Sequence, residues 1–350
     1  MYQVRDPQSK AGASTGGEVA PGHVPAVLAL GSDAGPEGAD VALPDIAAPG
    51  VPPYDMAWYR APASAALMPY VLGYAECRVT VPVGETLRLR IHAHVEPIVS
   101  VLGAGDVFVE LARGHRFRLP WLSIAGPQCR PTALVLSGAV QCFFVRFHSL
   151  GPRMLWGVRG TAYAGSPRLD AAAGPEQAPA LRAWALAVSR AADFHARARL
   201  SEAFLGAQVP QASGRLGALL VALDALGAGA PATGTPATAA RAAGVSGASL
   251  RRWFREEVGM CPRDVAAVRR FQRAMMRLQE LPAGAGSTDH LQDLAASCGF
   301  PSVRALRCAL RRYGDGLPRR GRDAQARLGM LRAAEVTVPP PPYLRWVSTP

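Results

Sequence analysis

Two short segments of the chain concentrate arginine side chains at positions where helices are expected. In the first segment, SGASLRRWFREEVG, the arginines stand among apolar residues at helical spacing. A guanidinium group can donate a pair of hydrogen bonds to O6 and N7 of guanine, and it also pairs with phosphate. The chemistry that these side chains predict is therefore recognition of nucleic acid, not catalysis. They are Arg251, Arg252 and Arg255 in the first segment and Arg304, Arg307, Arg311 and Arg312 in the second.

The first segment carries the signals of a turn followed by a helix. Leu250, Phe254 and Val258 recur every four residues, which predicts one buried helix face and leaves the arginines to project elsewhere. Before them, Gly244 can take the left-handed conformation of a tight turn, and Ser246 can cap the helix that follows. This pattern predicts a helix-turn-helix unit.

A second unit of the same kind is predicted at 287–318, where Leu291 packs inward, Gly299 turns the chain and a helix covers 301–313. Residues 263–280 between the units predict a spacer helix. At 1.5 Å per residue this helix is roughly 27 Å long, which is comparable to the ~34 Å between successive major grooves on one side of DNA. Such a spacer suits two reading helices on one face of the duplex.

The distribution of charge supports the same partner. The chain has a formal net charge of +12, and Lys10 is its only lysine. Residues 241–322 hold sixteen arginines and seven acidic residues, a difference of +9 in under a quarter of the chain. A concentrated positive charge favours a polyanion such as nucleic acid over a membrane surface. The wider arginine bias of the composition would raise the charge without any such partner, so location counts for more than the total.

With these residues the C-terminal region resembles the AraC-type transcriptional regulators. The resemblance spans about 85 residues and keeps its spacing through both units. It implies a sequence-specific DNA-binding transcriptional regulator that inserts its two reading helices into adjacent major grooves of double-stranded DNA. The residues that carry it are Ala240, Gly244, Ser246, Leu250, Arg252, Phe254, Gly259 and Pro262 in the first unit, Arg270, Ala274 and Leu278 in the spacer, and Ala295, Gly299, Phe300, Leu306, Leu310, Tyr313 and Pro318 in the second unit.

The resemblance also implies which residues touch DNA. Two family reading positions are occupied by residues with little reach, because Ala248 has no polar group and Cys308 stands where an arginine is usual. We therefore expect Arg251 and Arg252 to read bases and the arginines of the second unit to contact mainly phosphate. The predicted contact set is Ser246, Ala248, Arg251, Arg252, Arg255, Arg304, Arg307, Arg311 and Arg312. A partner-binding modulator with a degenerate DNA-binding domain remains the alternative.

The rest of the chain predicts an α+β protein with a β-rich N-terminal domain. Short β-branched or alternating segments such as LRLRIHAHV, IVSVL and DVFVEL recur between glycine and proline turns, which is typical of a small barrel or sandwich, including a cupin-like one. It resembles, more weakly, the β-rich domain that precedes AraC-type units, and by that analogy it would bind an effector of unknown identity or pair subunits. The expected order is a disordered extension at 1–55, the β-rich sensor or dimerisation domain at 56–170, a helical connector at 175–230, an all-α double helix-turn-helix domain at 231–318 and a flexible tail at 319–350.

One group of residues offers a competing chemistry. His92, His94 and Glu96 alternate on a predicted strand, so their side chains would share one face, and His115 or His148 could add a ligand. A metal-dependent cupin-like enzyme would need such a set, but the spacing from the second histidine to the glutamate is shorter than in cupins. We favour a polar strand face and expect no metal, no cofactor and no enzymatic activity.

Cellular location and partners follow from what remains. The six cysteines form no CxxC pair, and no secretion signal precedes the first domain, which together favour a reduced protein of the cytoplasm. Met56 is a candidate for the true start. Besides DNA, we consider a small-molecule effector, RNA polymerase and a second copy of the chain as partners, and we expect no membrane association.

Overall fold

The computed structural model describes residues 56–111, 115–165, 168–208, 210, 213–227, 234–280, 288–314 and 344–347. The predicted extension at 1–55 lies outside the described residues, as does the predicted tail at 319–350 except for one short strand. The hypothesis that Met56 is the true start concerns the undescribed extension and stays a prediction.

The N-terminal domain is an antiparallel β-sheet, as the sequence predicts. Its longest strand lies at the centre and pairs along one edge with the second longest and along the other edge with two shorter strands. The described strands are β1 (Met56–Ala61), β2 (Val71–Thr80), β3 (Leu87–Ile91), β4 (Ile98–Glu110), β5 (Arg116–Arg118), β6 (Leu122–Ala125), β7 (Thr132–Phe147) and β8 (Leu344–Val347). The central strand is β7, with β4 on one edge and β2 and β3 on the other; β8 pairs with β3.

Two of these strands are longer than the sequence predicts. The segments IVSVL and DVFVEL were expected as separate strands, but both lie within β4, which carries register shifts between Leu102 and Ala104 and between Ala104 and Asp106. In the same way β7 runs without a break through Gly138, although glycine also indicates a turn. Glycine within a strand marks a bulge as readily as a turn, because it tolerates the local change in backbone conformation.

Among the described residues that follow β7, helices continue up to Gly314, and β8 comes after them. They are α1 (Gly151–Trp156), α2 (Ala162–Gly165), α3 (Leu169–Ala172), α4 (Ala178–Arg190), α5 (Phe194–Gly206), α6 (Gly214–Gly227), α7 (Pro236–Ala242), α8 (Gly247–Trp253), α9 (Pro262–Glu280), α10 (Thr288–Ser297) and α11 (Val303–Gly314), with a π-helical turn at Phe254–Val258 that extends α8. The helices of the predicted connector pack in different places, since α4 and α5 join the core of the sheet and α6 joins the core of the later helices. Within the described ranges, no helix is both long enough and apolar enough to cross a membrane.

Three apolar clusters hold the described elements, two in the β domain and one in the C-terminal helices. The core of the β domain brings Phe147 against Trp156, with ring centroids 5.2 Å apart, and stacks Trp184 on Phe204 at 5.3 Å. The core of the C-terminal helices is built from α6 to α11, and it also includes Ala93 of the β domain. Because side chains of the β domain complete the helical core, the two parts of the chain are packed together rather than merely linked.

Candidate nucleic-acid interface

The first helix-turn-helix unit is formed by α7 and α8. Gly244 adopts φ +66° in the turn between them, and the Ser246 hydroxyl accepts a hydrogen bond of 3.1 Å from the backbone N–H of Ser249. Leu250 and Phe254 are buried, as their four-residue spacing predicts. The turn and the cap therefore fix where α8 begins, and the buried pair fixes which face it presents to solvent.

The second unit repeats this construction with α10 and α11. Gly299 adopts φ +79° in the turn, and the Ser302 hydroxyl accepts a hydrogen bond of 3.1 Å from the backbone N–H of Ala305. Leu306 and Leu310 are buried against the core. In both units, a serine side chain thus caps the start of the second helix, and one apolar face of that helix is turned inward.

The spacer helix α9 joins the units. It has nineteen residues, which at ~1.5 Å per residue gives a length of about 28 Å. Val268, Phe271 and Met275 of the predicted apolar face are buried, and Leu278 is half-buried. The spacer is therefore a packed helix, so the positions of α8 and α11 are set by a folded core.

All nine residues predicted to contact DNA are exposed. Within the described part of the chain, Arg251, Arg255, Arg304 and Arg307 form no ion pair. Their guanidinium groups are consequently available to an external anion. The nine exposed residues are Ser246, Ala248, Arg251, Arg252, Arg255, Arg304, Arg307, Arg311 and Arg312.

The unusual reading positions also lie on the surface. Ala248 and Cys308 are exposed. An Arg311 N–H donates to Cys308 Sγ at 3.8 Å, and the Arg312 guanidinium lies over the Tyr313 ring at 5.5 Å from its centroid. Neighbouring side chains therefore hold the last two arginines of α11 in place, whereas those nearer the start of α11 point to solvent.

The contact between the first unit and the β domain is the part that sequence reasoning missed. Arg153 Nε donates to Glu257 Oε2 at 2.6 Å, and Arg215 of α6 lies 3.4 Å from Glu257 Oε1. Arg215 also donates to Glu256 and holds the pKa of that carboxyl below its usual value. One signal could have found it: Glu257 lies three residues after Phe254, on the apolar face, where a carboxylate requires a buried cation.

The predicted metal candidates lie at a second contact between the β domain and the helices. The strand β3 ends at Ile91, so His92, His94 and Glu96 do not alternate on a strand. With its proton on Nδ1, His94 donates to the Glu96 carbonyl at 2.8 Å and its Nε2 accepts from Gln128 at 2.7 Å. Burial lowers the pKa of His94. Both ring nitrogens are thus used in protein contacts.

The neighbours of His94 face the spacer helix. The His92 ring packs edge-on against Phe271, with centroids 6.0 Å apart, and Glu96 accepts a hydrogen bond of 2.7 Å from Gln272. His115 is exposed and His148 is half-buried. The described ranges contain no cluster of three or more histidine, cysteine, aspartate or glutamate residues suited to a metal ion. The structure therefore uses this segment as packing against α9.

Two capped helix-turn-helix units with exposed arginines, joined by a packed spacer, define a DNA-binding class of protein. Residues 239–324 match a family model described as a helix-turn-helix domain. The C-terminal region is an AraC-type helix-turn-helix domain, which confirms the predicted resemblance. A comparison with curated proteins found no match.

Several solved structures are similar to the chain at low identity. ToxT from Vibrio cholerae O395 is 10% identical, with 80% of this chain and 99% of that chain covered and a TM-score of 0.41. ToxT bound to (E)-4-(8-methylnaphthalen-1-yl)but-3-enoic acid is 9% identical, with 76% and 96% covered and a TM-score of 0.36. The AraC-like transcriptional activator CuxR is 12% identical, with 57% and 88% covered and a TM-score of 0.23. Likenesses at this level add no argument, so the assignment rests on the helix-turn-helix match.

Proposed function

We propose that the protein is a sequence-specific DNA-binding regulator that inserts α8 and α11 into adjacent major grooves. The observation that carries the proposal is the exposure of seven arginines on two capped helices and the π-helical turn after the first, in units that one packed spacer joins. Exposed guanidinium groups on a helix in the major groove can meet base edges or the flanking phosphates.

In this proposal α8 supplies the base readout. Arg251 and Arg252 lie in the second half of a seven-residue helix whose apolar face is buried by Leu250, so both side chains extend to solvent. Each can make the two parallel hydrogen bonds that select guanine. Ser246 and Ala248 lie at the start of the helix, where the backbone approaches the DNA, and Arg255 lies about two turns after Ala248, in the π-helical turn.

The helix α11 supplies mainly affinity. Its four arginines are exposed, and each phosphate that they neutralise releases counterions. Four such contacts predict a slope of about −3.6 for the logarithm of the binding constant against the logarithm of the salt concentration. Between 50 and 200 mM salt the affinity would then fall by roughly 100-fold.

The β domain provides the regulatory input. We propose that it binds a small-molecule effector or a second copy of the chain, and that RNA polymerase is the partner through which binding changes transcription in the cytoplasm. Only the DNA-binding part of the proposal rests on the geometry of α8 and α11.

The test is selection of bound sites from random duplex DNA by the full chain, followed by affinity measurements at 50 and 200 mM salt. The expected result is an enriched motif spanning about two helical turns, with the salt dependence given above. A motif of half that length would place specificity in α8 alone. Failure to enrich any motif would overturn the proposal.

A second function is favoured by one specific observation. Ala248 and Cys308 are exposed at family reading positions and lack the reach to contact a base. A regulator that acts by binding another protein would keep the fold and lose such contacts. Non-specific DNA affinity together with a stable protein complex would support this second function over the first.

A further inference from the structure

The β domain contacts both helix-turn-helix units. At the first unit, the backbone N–H of Gly160 donates to the Glu257 carbonyl at 3.2 Å, and that of Thr161 donates to the Glu256 carbonyl at 3.4 Å. These acceptors belong to the π-helical turn that extends α8. The C-terminal end of the extended helix α8 therefore forms hydrogen bonds with the backbone of the β domain.

The approach of the two backbones at this contact is unusually close. A Cβ atom added at Gly160 would lie 2.0 Å from the backbone nitrogen of Gly259 and 2.3 Å from the carbonyl carbon of Val258. Gly259 itself adopts φ +86°, where a side chain is strained. The contact thus exists only because glycine stands on both sides of it.

An ion pair also joins the β domain to the first unit at this contact. The Glu257 side chain is 3% exposed, and it accepts from Arg153 of α1 and lies near Arg215 of α6. A carboxylate buried on a reading unit has to be matched by cations, and one of these comes from the β domain. Arg153 therefore connects the charge of the first unit to the domain that precedes it.

The second unit is held by a separate contact. The backbone N–H of Ala93 donates to the Tyr313 carbonyl at 2.9 Å, at the end of α11. Gln272 of the spacer donates to Glu96 at 2.7 Å. Ala93 and Val95 are fully buried in the helical core. The β domain thus contacts the π-helical extension of α8 and the last turn of α11.

We propose that the β domain is a clamp that fixes the spacing and angle between α8 and α11, with Gly160 and Arg153 as its positioning residues at the first unit. The proposal rests on the proposed DNA-binding function. Because the clamp contacts helix ends and leaves the arginines exposed, it preorganises the two helices for one arrangement of half-sites. It contributes to binding only when both helices engage DNA together.

The test compares the full-length wild type with Gly160→Ala, using Gly206→Ala as the matched control. Gly206 ends α5, a connector helix that packs on the core of the sheet, and an added Cβ there meets no atom within 4 Å. Affinity is measured for the selected duplex carrying both half-sites and for a duplex carrying only the half-site of α8. We expect Gly160→Ala to lose about tenfold or more on the double site and less than about twofold on the half-site, and Gly206→Ala to lose neither.

If Gly160→Ala lost affinity equally for the two duplexes, or lost none for either, the clamp proposal would be overturned. A second variant, Arg153→Gln, keeps the test decisive if Gly160→Ala does not fold. Its control is Arg182→Ala, which removes the same charge from an ion pair with Asp170 inside the β domain, 2.7 Å long. Arg153→Gln is expected to weaken the double site selectively, and Arg182→Ala is expected to lower binding to both duplexes equally or not at all.

Hydrogen exchange separates failure of the clamp from failure of the proposed function. If the wild type selects no motif, exchange in Gly160→Ala still reports on the clamp without DNA. Loss of protection at 92–97 together with 254–259 would show that the two contacts open as one unit. Loss confined to 254–259 would overturn the clamp, because the second contact would then be independent of the first.

Discussion

The ion pair between Arg153 and Glu257 gives the sharpest prediction about stability. At an effective dielectric constant of ~20, two unit charges about 3 Å apart attract by roughly 5 kcal/mol, and desolvation offsets most of this gain. Removing one partner leaves the other buried without its match, which usually costs about 3–5 kcal/mol. Since Arg215 remains 3.4 Å from Glu257, we expect the low end, about 3 kcal/mol, for Arg153→Ala.

The assay is a double-mutant cycle measured by urea unfolding. The free energy of unfolding is determined for the wild type, Arg153→Ala, Glu257→Ala and the double variant. We expect the double variant to lose less than the sum of the single losses, with a coupling of about 2 kcal/mol, because neither charge is then left buried alone. Additive single losses, or a Glu257→Ala protein as stable as the wild type, would refute the reasoning.

The remaining predictions concern the turn, the cap and the buried histidine. Ser246→Ala should lower the free energy of unfolding by about 0.5–2 kcal/mol, because Ser249 N–H loses its acceptor. Gly244→Ala should lower the free energy of unfolding by about 1–2 kcal/mol, because the turn holds φ +66° although the space around it is open. Chemical denaturation measures the stability of both variants. If neither variant lost stability, the assigned roles of the cap and the turn would be contradicted. Burial lowers the pKa of His94, so its neutral form stabilises the fold above the ordinary pKa near 6.5 and that contribution is lost as the pH falls through the lowered pKa. Urea unfolding at pH 7.5 and 5 should show a larger loss for the wild type than for His94→Asn, and equal losses would contradict this.

The helix-turn-helix units could be predicted because their signals are local. A glycine in the turn, a serine cap and apolar residues every four positions lie within one short segment, and each acts on its own backbone. The structure places Gly244, Ser246 and Phe254 as these signals require. The exposure of the arginines follows from the same periodicity.

The contacts that residues 92–96 of the β domain make could not be predicted, because they join residues far apart in sequence. Alternation at 87–96 predicts a strand, yet β3 stops at Ile91 because the following backbone finds other partners. Ala93 N–H bonds to the Tyr313 carbonyl, and the backbone of His94 pairs with Gln128. Tertiary hydrogen bonds therefore override the local pattern, and no sequence periodicity carries information about them.

The central claim is that α8 reads bases through Arg252. The most direct measurement is the affinity of the wild type and Arg252→Ala for the selected duplex and for each of its single-base substitutions. We predict that Arg252→Ala weakens binding by about 1–3 kcal/mol and becomes indifferent to the base at one position, with discrimination kept at the others. A uniform loss across all sequences would mean that Arg252 contacts only phosphate, and an unchanged affinity would mean that it does not contact DNA.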